Sequence, residues 1–300
     1  MRVILLFLDG VGIGTRNPRA NPFLTARIPV LRSLLGGGVP SSSLKRFDST
    51  NVSLVPANAT LGVSGLPQSG TGQTAIFTGA NGAKLFGRHF GPFPPTILRS
   101  IIESDNIFRR LKSVGKSVSF ANAFPQRFFE YTNSGTRRVT VTVLASLMSG
   151  VPLRTSKELL HNEALSADFT RVRWPELGHP DVKPVTPREA GRHLWHIAQQ
   201  YDFTLFEYWL TDHAGHSQSM KLSVDALESY DVFLGGLLEE FRSQESLVVM
   251  ISDHGNIENL LKKTHTRNPV PCIAVGKRAK EFTSSVRNLT HITPAILKLF

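Results

Sequence analysis

The chain is poor in cysteine. Cys272 is the one thiol in 300 residues, which excludes an internal disulfide framework and points to a reducing, cytoplasmic setting. Cys272 lies in the strand-like run 269–275 and reads as a buried structural thiol. Long apolar runs are lacking too. None approaches the ~20 residues of a membrane span, so no membrane partner is expected. The first apolar run, 3–8, is broken by Asp9 and reads as a strand rather than a signal peptide. Acidic residues are scarce, 23 against 34 Lys and Arg, for a net charge of +11. That excess has no zinc-finger spacing and no aromatic-basic ribonucleoprotein pattern behind it, which argues against nucleic acid. Residues 261–300 hold eight Lys and Arg against one acid, Glu281. Such a field can draw in small anionic substrates such as phosphate esters, or it is a generic basic surface. Internal repeats, low-complexity tracts and any signal of oligomeric state are absent.

A hydrophobic content of 41% supports a sizeable soluble core. Strand-like and helix-like segments alternate, which predicts an α/β fold: a mainly parallel sheet with helices on both faces. Strands are expected at 3–8, 117–121, 203–210, 247–252 and 269–275. Helices are expected near 28–35, from Thr71, at 187–200 and 222–241, and at the C-terminus, where Thr293-Pro294 marks a first turn. Residues 96–114 read as one long amphipathic helix stopped by Gly115. Between 125 and 185 the alternation fails, and Pro, Arg and polar residues dominate around one apolar helical piece at 140–148. This predicts a small cap, 125–185, inserted into a discontinuous core of 1–124 and 186–300.

Three apolar runs each end in an aspartate: Asp9-Gly10, Asp212-His213-Ala214-Gly215-His216 and Asp253-His254-Gly255-Asn256. His265 follows His254 within one loop. Open α/β sheets build their sites at the carboxyl ends of strands. Carboxylates gathered there repel one another unless cations bind, and carboxylate and neutral imidazole are metal ligands. Two glycine-rich runs have weaker claims. Gly65 to Thr74 lacks the lysine of a P-loop, and Gly10-Val11-Gly12-Ile13-Gly14 has the wrong spacing for a dinucleotide fingerprint. A better reading makes Ser69 a nucleophile at a helix N-terminus, where free N–H groups can hold a phosphate. Its hydroxyl needs a base or a metal to activate it, and no triad-type Asp/His pair is obvious beside it. Thr71 is the second choice.

Together Leu8-Asp9-Gly10, Gln68-Ser69-Gly70-Thr71-Gly72-Gln73, Asp212 to His216, Asp253 to Asn256 and Thr264-His265-Thr266 resemble the alkaline phosphatase superfamily. Among its members the chain is most similar to the cofactor-independent phosphoglycerate mutases and the phosphopentomutases. Arg267-Asn268-Pro269-Val270-Pro271 and the tail 292–297 match as well. The resemblance implies an alkaline-phosphatase-like core and a two-metal site. Asp9, Asp253, His254 and the Ser69 hydroxyl would hold one metal, and Asp212, His216 and His265 the other. Oxygen and imidazole ligands without thiolate suit manganese or zinc, with magnesium less suited where three histidines bind. The implied function is phosphotransfer through Ser69, as a phosphomutase or a phosphohydrolase. The alternatives are a phosphodiesterase of the same superfamily and a non-catalytic, metal-dependent anion-binding protein. Gln73 stands where the mutases commonly have histidine, and His213 is spare and reads as exposed. Arg127, Arg137, Arg138, Arg154, Arg171 and Arg173 are the candidate substrate arginines.

Overall fold

A computed structural model describes residues 1–44, 46–135 and 138–300. In chain order the elements are β1 (Arg2–Leu8), α1 (Pro29–Leu34), β2 (Phe47–Asp48), β3 (Val52–Ala57), α2 (Ser69–Thr78), α3 (Gly82–Phe86), α4 (Thr96–Ser104) and α5 (Ile107–Ser113). There follow β4 (Val118–Phe120), α6 (Gln126–Asn133), α7 (Val141–Met148), α8 (Ser156–Leu160), α9 (Pro187–Ala198), β5 (Phe203–Tyr208) and α10 (Leu210–Ser217). The chain closes with α11 (Met220–Leu238), β6 (Ser246–Ile251), β7 (Val270–Gly276), α12 (Ala279–Ser284) and α13 (Ile292–Leu297).

The described strands form one seven-stranded sheet in the order β2-β3-β7-β6-β1-β5-β4. Strands β4, β5, β1 and β6 pair in parallel, while β7, β3 and β2 add an antiparallel edge. The central strand is buried on both faces, as a parallel sheet covered by helices requires. Val3, Leu5 and Phe7 join the core beneath α2, α4, α5, α7, α12 and α13. Ile4, Leu6 and Leu8 join the opposite core with α1, α9 and α11. Phe7 meets Phe77 of α2 edge-on, with centroids 5.6 Å apart. Truncating such a ring costs ~3–5 kcal/mol. Among the described residues, no helix is long and apolar enough to cross a membrane.

Register brings the chemistry to one edge. Leu8 pairs with Tyr208 and Phe7 with Ile251, so the segments after β1, β5 and β6 leave the sheet side by side. The antiparallel step from β6 to β7 needs no crossover helix. Residues 252–269 are therefore free to fold as a loop across that edge.

Two sequence expectations change. The helix expected over 96–114 is two helices. Asn106 caps α5, its side chain accepting from the Arg109 N–H at 3.1 Å, and Asp105 pairs with Arg110. Side chains that compete for local backbone groups end a helix even where the apolar period runs on. The strand expected to run to Leu210 stops at Tyr208, and Leu210 opens α10.

In the segment 125–185, α7 is capped by Thr140 and buries Val141, Val143, Leu144 and Ala145 in the main core. Leu159, Ala164, Trp174 and Val182 form a separate small cluster with Ala123. The inserted cap stands as a proposal, with α7 as its anchor in the core.

Candidate metal centre

Asp9, Asp253 and His254 follow directly on β1 and β6. Asp212 and His216 lie one turn apart on α10, where i,i+4 spacing puts both side chains on one face. Ser69 opens α2, and His265 sits in the loop before β7. The fold brings all seven together.

The buried half centres on His254. Its Nε2 lies 3.1 Å from the Ser69 hydroxyl, 3.3 Å from Asp9 Oδ1 and 3.5 Å from Asp253 Oδ2. Burial raises the Asp9 carboxyl well above its ordinary value, and the charges of Asp253, Asp212 and Glu207 add to this. Burial, then Asp212, pushes Asp253 up to about 6, against a 3.2 Å hydrogen bond donated by Gln73 Nε2. Burial, then His265, pushes His254 down to about 3. A bound cation reverses this logic by favouring the ionised carboxylates.

The other half is more open. The Asp212 carboxylate lies 3.3 Å from His216 Nε2 and 3.7 Å from His265 Nε2. It also accepts from Asn256 Nδ2 at 2.6 Å. His216 Nδ1 faces the Lys263 carbonyl at 2.9 Å, and His265 Nδ1 faces the Pro67 carbonyl at 2.8 Å. A carbonyl only accepts, so each Nδ1 carries a proton, and Nε2 is the nitrogen each ring turns inward. Those two nitrogens are 3.2 Å apart. Two imidazole nitrogens this close beside a carboxylate form the donor set that a divalent cation takes. Asp9 Oδ1, buried and without a hydrogen bond, gives the same indication on the other side. Asp212, His216 and His265 converge closely enough to share one ion, as do Asp9, Asp212 and His254. The residues present thus fit divalent metals held by oxygen and imidazole.

The remaining candidates separate. Thr71 is fully buried, with its hydroxyl donating to the Gln68 carbonyl at 3.1 Å. His213 is exposed and packs edge-on to Trp209. Arg154 is bound to the Phe120 and Glu163 carbonyls, and Arg171 is buried against Asn162. Arg127, Arg138 and Arg173 line a cavity together with Glu207 and Trp209. Arg137 lies outside the described residues.

Sequence reasoning missed Glu258. This fully buried carboxylate accepts from the Gly12 N–H at 3.0 Å, the Asn256 N–H at 2.7 Å, Asn268 Nδ2 at 2.9 Å and the Thr266 hydroxyl. It ties the loops that carry the two halves into one unit. It also explains the glycine-rich run after β1: a Cβ on Gly12 would sit 2.4 Å from this carboxylate. Gly10 has φ +69° and its Cβ would meet Asp212 Oδ1 at 2.4 Å. An acid two residues after Asn256, in the loop that also carries Asp253, His254 and His265, was the available signal.

In fold, the protein is alkaline-phosphatase-like. It aligns with the PH0037 protein from Pyrococcus horikoshii at TM-score 0.59 and 15% identity, over 99% of this chain and 96% of that one. It aligns with the alkaline phosphatase from the Antarctic bacterium TAB5 at TM-score 0.54 and 13% identity, over 99% and 97%. A family model described as the metalloenzyme superfamily matches residues 178–300. The 2,3-bisphosphoglycerate-independent phosphoglycerate mutase of Wolinella succinogenes is 30% identical over 133 residues, 42% of this chain and 27% of that protein. The one from Pseudomonas fluorescens is 32% identical over 132 residues, 42% and 24%. The matched region spans about a quarter of the length of these relatives. Residues 178–300 thus match the metalloenzyme superfamily, and the chain as a whole has the alkaline-phosphatase-like fold.

Proposed function

We propose that the protein is a two-metal phosphotransfer enzyme acting on small phosphate esters, with Ser69 as the nucleophile. The observation that carries this reading is the convergence of Ser69, Asp9, Asp253 and His254 on one side of the cluster and of Asp212, His216 and His265 on the other. Asp9, Asp253, His254 and the Ser69 hydroxyl would hold one metal, and Asp212, His216 and His265 the second. Bound there, paired divalent ions lower the pKa of the serine hydroxyl and stabilise charge on the transferring phosphoryl group.

The chain's own residues account for the rest. Ser69 stands at the start of α2, where unpaired N–H groups favour an anion. Its oxygen attacks phosphorus, forming the phosphoserine bond while the ester oxygen leaves with the electron pair of the broken P–O bond. Water or a second hydroxyl then takes the phosphoryl group, giving hydrolysis or a mutase outcome. Gln73 steadies Asp253, and Asn256 steadies Asp212.

The test is to strip the protein with chelator, restore Mn²⁺ or Zn²⁺, and assay sugar phosphates, nucleotides and diesters. Turnover should return with the metal and vanish in Ser69→Ala. Activity that survives Ser69→Ala would rule out the covalent route. Peptide mapping of the trapped phosphoenzyme should place the phosphate on Ser69 rather than Thr71.

A further inference from the structure

A cavity of about 500 Å³ adjoins the cluster. Its walls carry six aromatic side chains: Phe93, Phe124, Phe128, Tyr131, Trp174 and Trp209. Phe124 and Phe128 lie with centroids 4.5 Å apart, tilted by 31°. Three links join the cavity to the site. Trp209 precedes α10, whose first turn carries Asp212. The Phe93 carbonyl closes against Gly70, beside Ser69: a Cβ there would lie 2.4 Å away. Glu207, near the end of β5, is in the wall and pairs in register with Phe7, two residues before Asp9.

The volume is that of a pocket for one small organic molecule. A short polar alcohol such as glycerol or glycerate would fill little of it and would leave the apolar wall wet. Aromatic walls gain most from a flat ring, which they can meet by stacking or edge contact. The wall also holds Arg127 and Arg173, both exposed, suited to an anion entering towards Ser69. Glu207 is fixed by the Thr142 hydroxyl at 2.6 Å and offers an acceptor at the inner end.

We propose that this cavity binds the alcohol half of the substrate and that this half carries a flat aromatic ring. The proposal rests on the phosphotransfer reading above and narrows its substrate class. Two sources share this chemistry, aryl phosphates and nucleoside monophosphates.

The experiment compares kcat/KM of the Mn²⁺-loaded protein for 1-naphthyl phosphate, adenosine 5′-monophosphate and glycerol 2-phosphate. At least one ring ester should exceed glycerol phosphate by about 100-fold, the return on burying one ring system. The better of the two identifies the source. Phe128→Ala should cut that advantage to about 10-fold or less; if this half-buried position disturbs folding, Tyr131→Ala at the exposed rim takes its place. Quenching of tryptophan fluorescence by naphthyl phosphate reads binding independently, through Trp174 and Trp209. Equal kcat/KM for ring and glycerol esters overturns the cavity assignment and leaves phosphotransfer standing. Quenching without turnover of any ester keeps the cavity and overturns phosphotransfer.

Discussion

The two halves of the ligand cluster are built from different material. Asp253 and His254 have no exposed side-chain surface and sit on loops that leave buried strands. Asp212 and His216 ride on a helix, with side chains 19% and 42% exposed. The buried half has paid its desolvation in advance: its carboxyls are pushed up and its imidazole down. In the open half, backbone carbonyls orient both imidazoles, and water reaches Asp212 and His216. A ligand set that is dry and locked should hold its metal tightly and tolerate no change. A set more open to water should exchange its metal and accept repair.

That contrast can be broken most directly by one substitution in each half. Asp253→Asn should lower kcat/KM by about 1,000-fold or more, with no recovery in millimolar Mn²⁺, since it removes a charged ligand from a dry site. His216→Ala should lower metal affinity by about 10- to 100-fold and recover most activity when Mn²⁺ is raised, because water can fill the vacant position. Titrating each variant with metal separates the two cases, and equal rescue of both would erase the distinction.

Glu258 is where the halves are joined, so its loss should affect both. Glu258→Ala strands three buried donors and the half-buried Asn268 amide, and should cost about 3 kcal/mol of stability. Denaturant unfolding with chelator present reads this cost directly. A loss under about 1 kcal/mol would mean the loops hold their arrangement without the clamp.

Without metal, the buried half should weaken the fold. Asp253 binds its proton more tightly folded, at about 6, than at the ordinary 3.8. Folding then takes up a proton, and the carboxyl's contribution to stability falls as pH rises through that window. Asp253→Asn removes this term. In chelator the variant should gain on the native protein between about pH 4 and 6, by on the order of 3 kcal/mol, and hold the gain above. Added Mn²⁺ should reverse the order, because ligand binding stabilises the chain that keeps the site. A stability difference flat across pH would contradict the burial argument.

The seven ligand candidates were legible because each lies at the end of an apolar run or within one loop of it, and strand ends converge by topology. Pairing at a distance came from the family resemblance and not from the residues alone. Nothing local tells that His254, 185 positions from Ser69, ends 3.1 Å from its hydroxyl. Glu258 escaped because a buried acid satisfied only by N–H and O–H donors from two loops has no periodic signature. The α4–α5 break was written in Ser104-Asp105-Asn106, and the apolar period masked it. Whether Asp212 ended a strand or began a helix was ambiguous, since an apolar run serves either. The spacing of Asp212 and His216 would have favoured the helix, where four residues make one turn.

The smallest expected effect tests whether the support of the buried half is specific to it. Gln73 Nε2 donates to Asp253 Oδ2 at 3.2 Å, on the buried side of the cluster. Partners of this kind orient a ligand and typically change metal affinity by ~10–100-fold when lost. Gln73→Leu keeps the bulk of the side chain and removes the donor. It should weaken one of the two metal-binding events by about 10-fold, roughly 1.4 kcal/mol, and leave the other within error. Calorimetric titration of chelator-stripped protein resolves the two events, and a histidine at this position, Gln73→His, should restore part of the loss through its own N–H. If both events weaken together, the halves are coupled through Asp212, which lies near ligands of both, and the cluster behaves as one site rather than two.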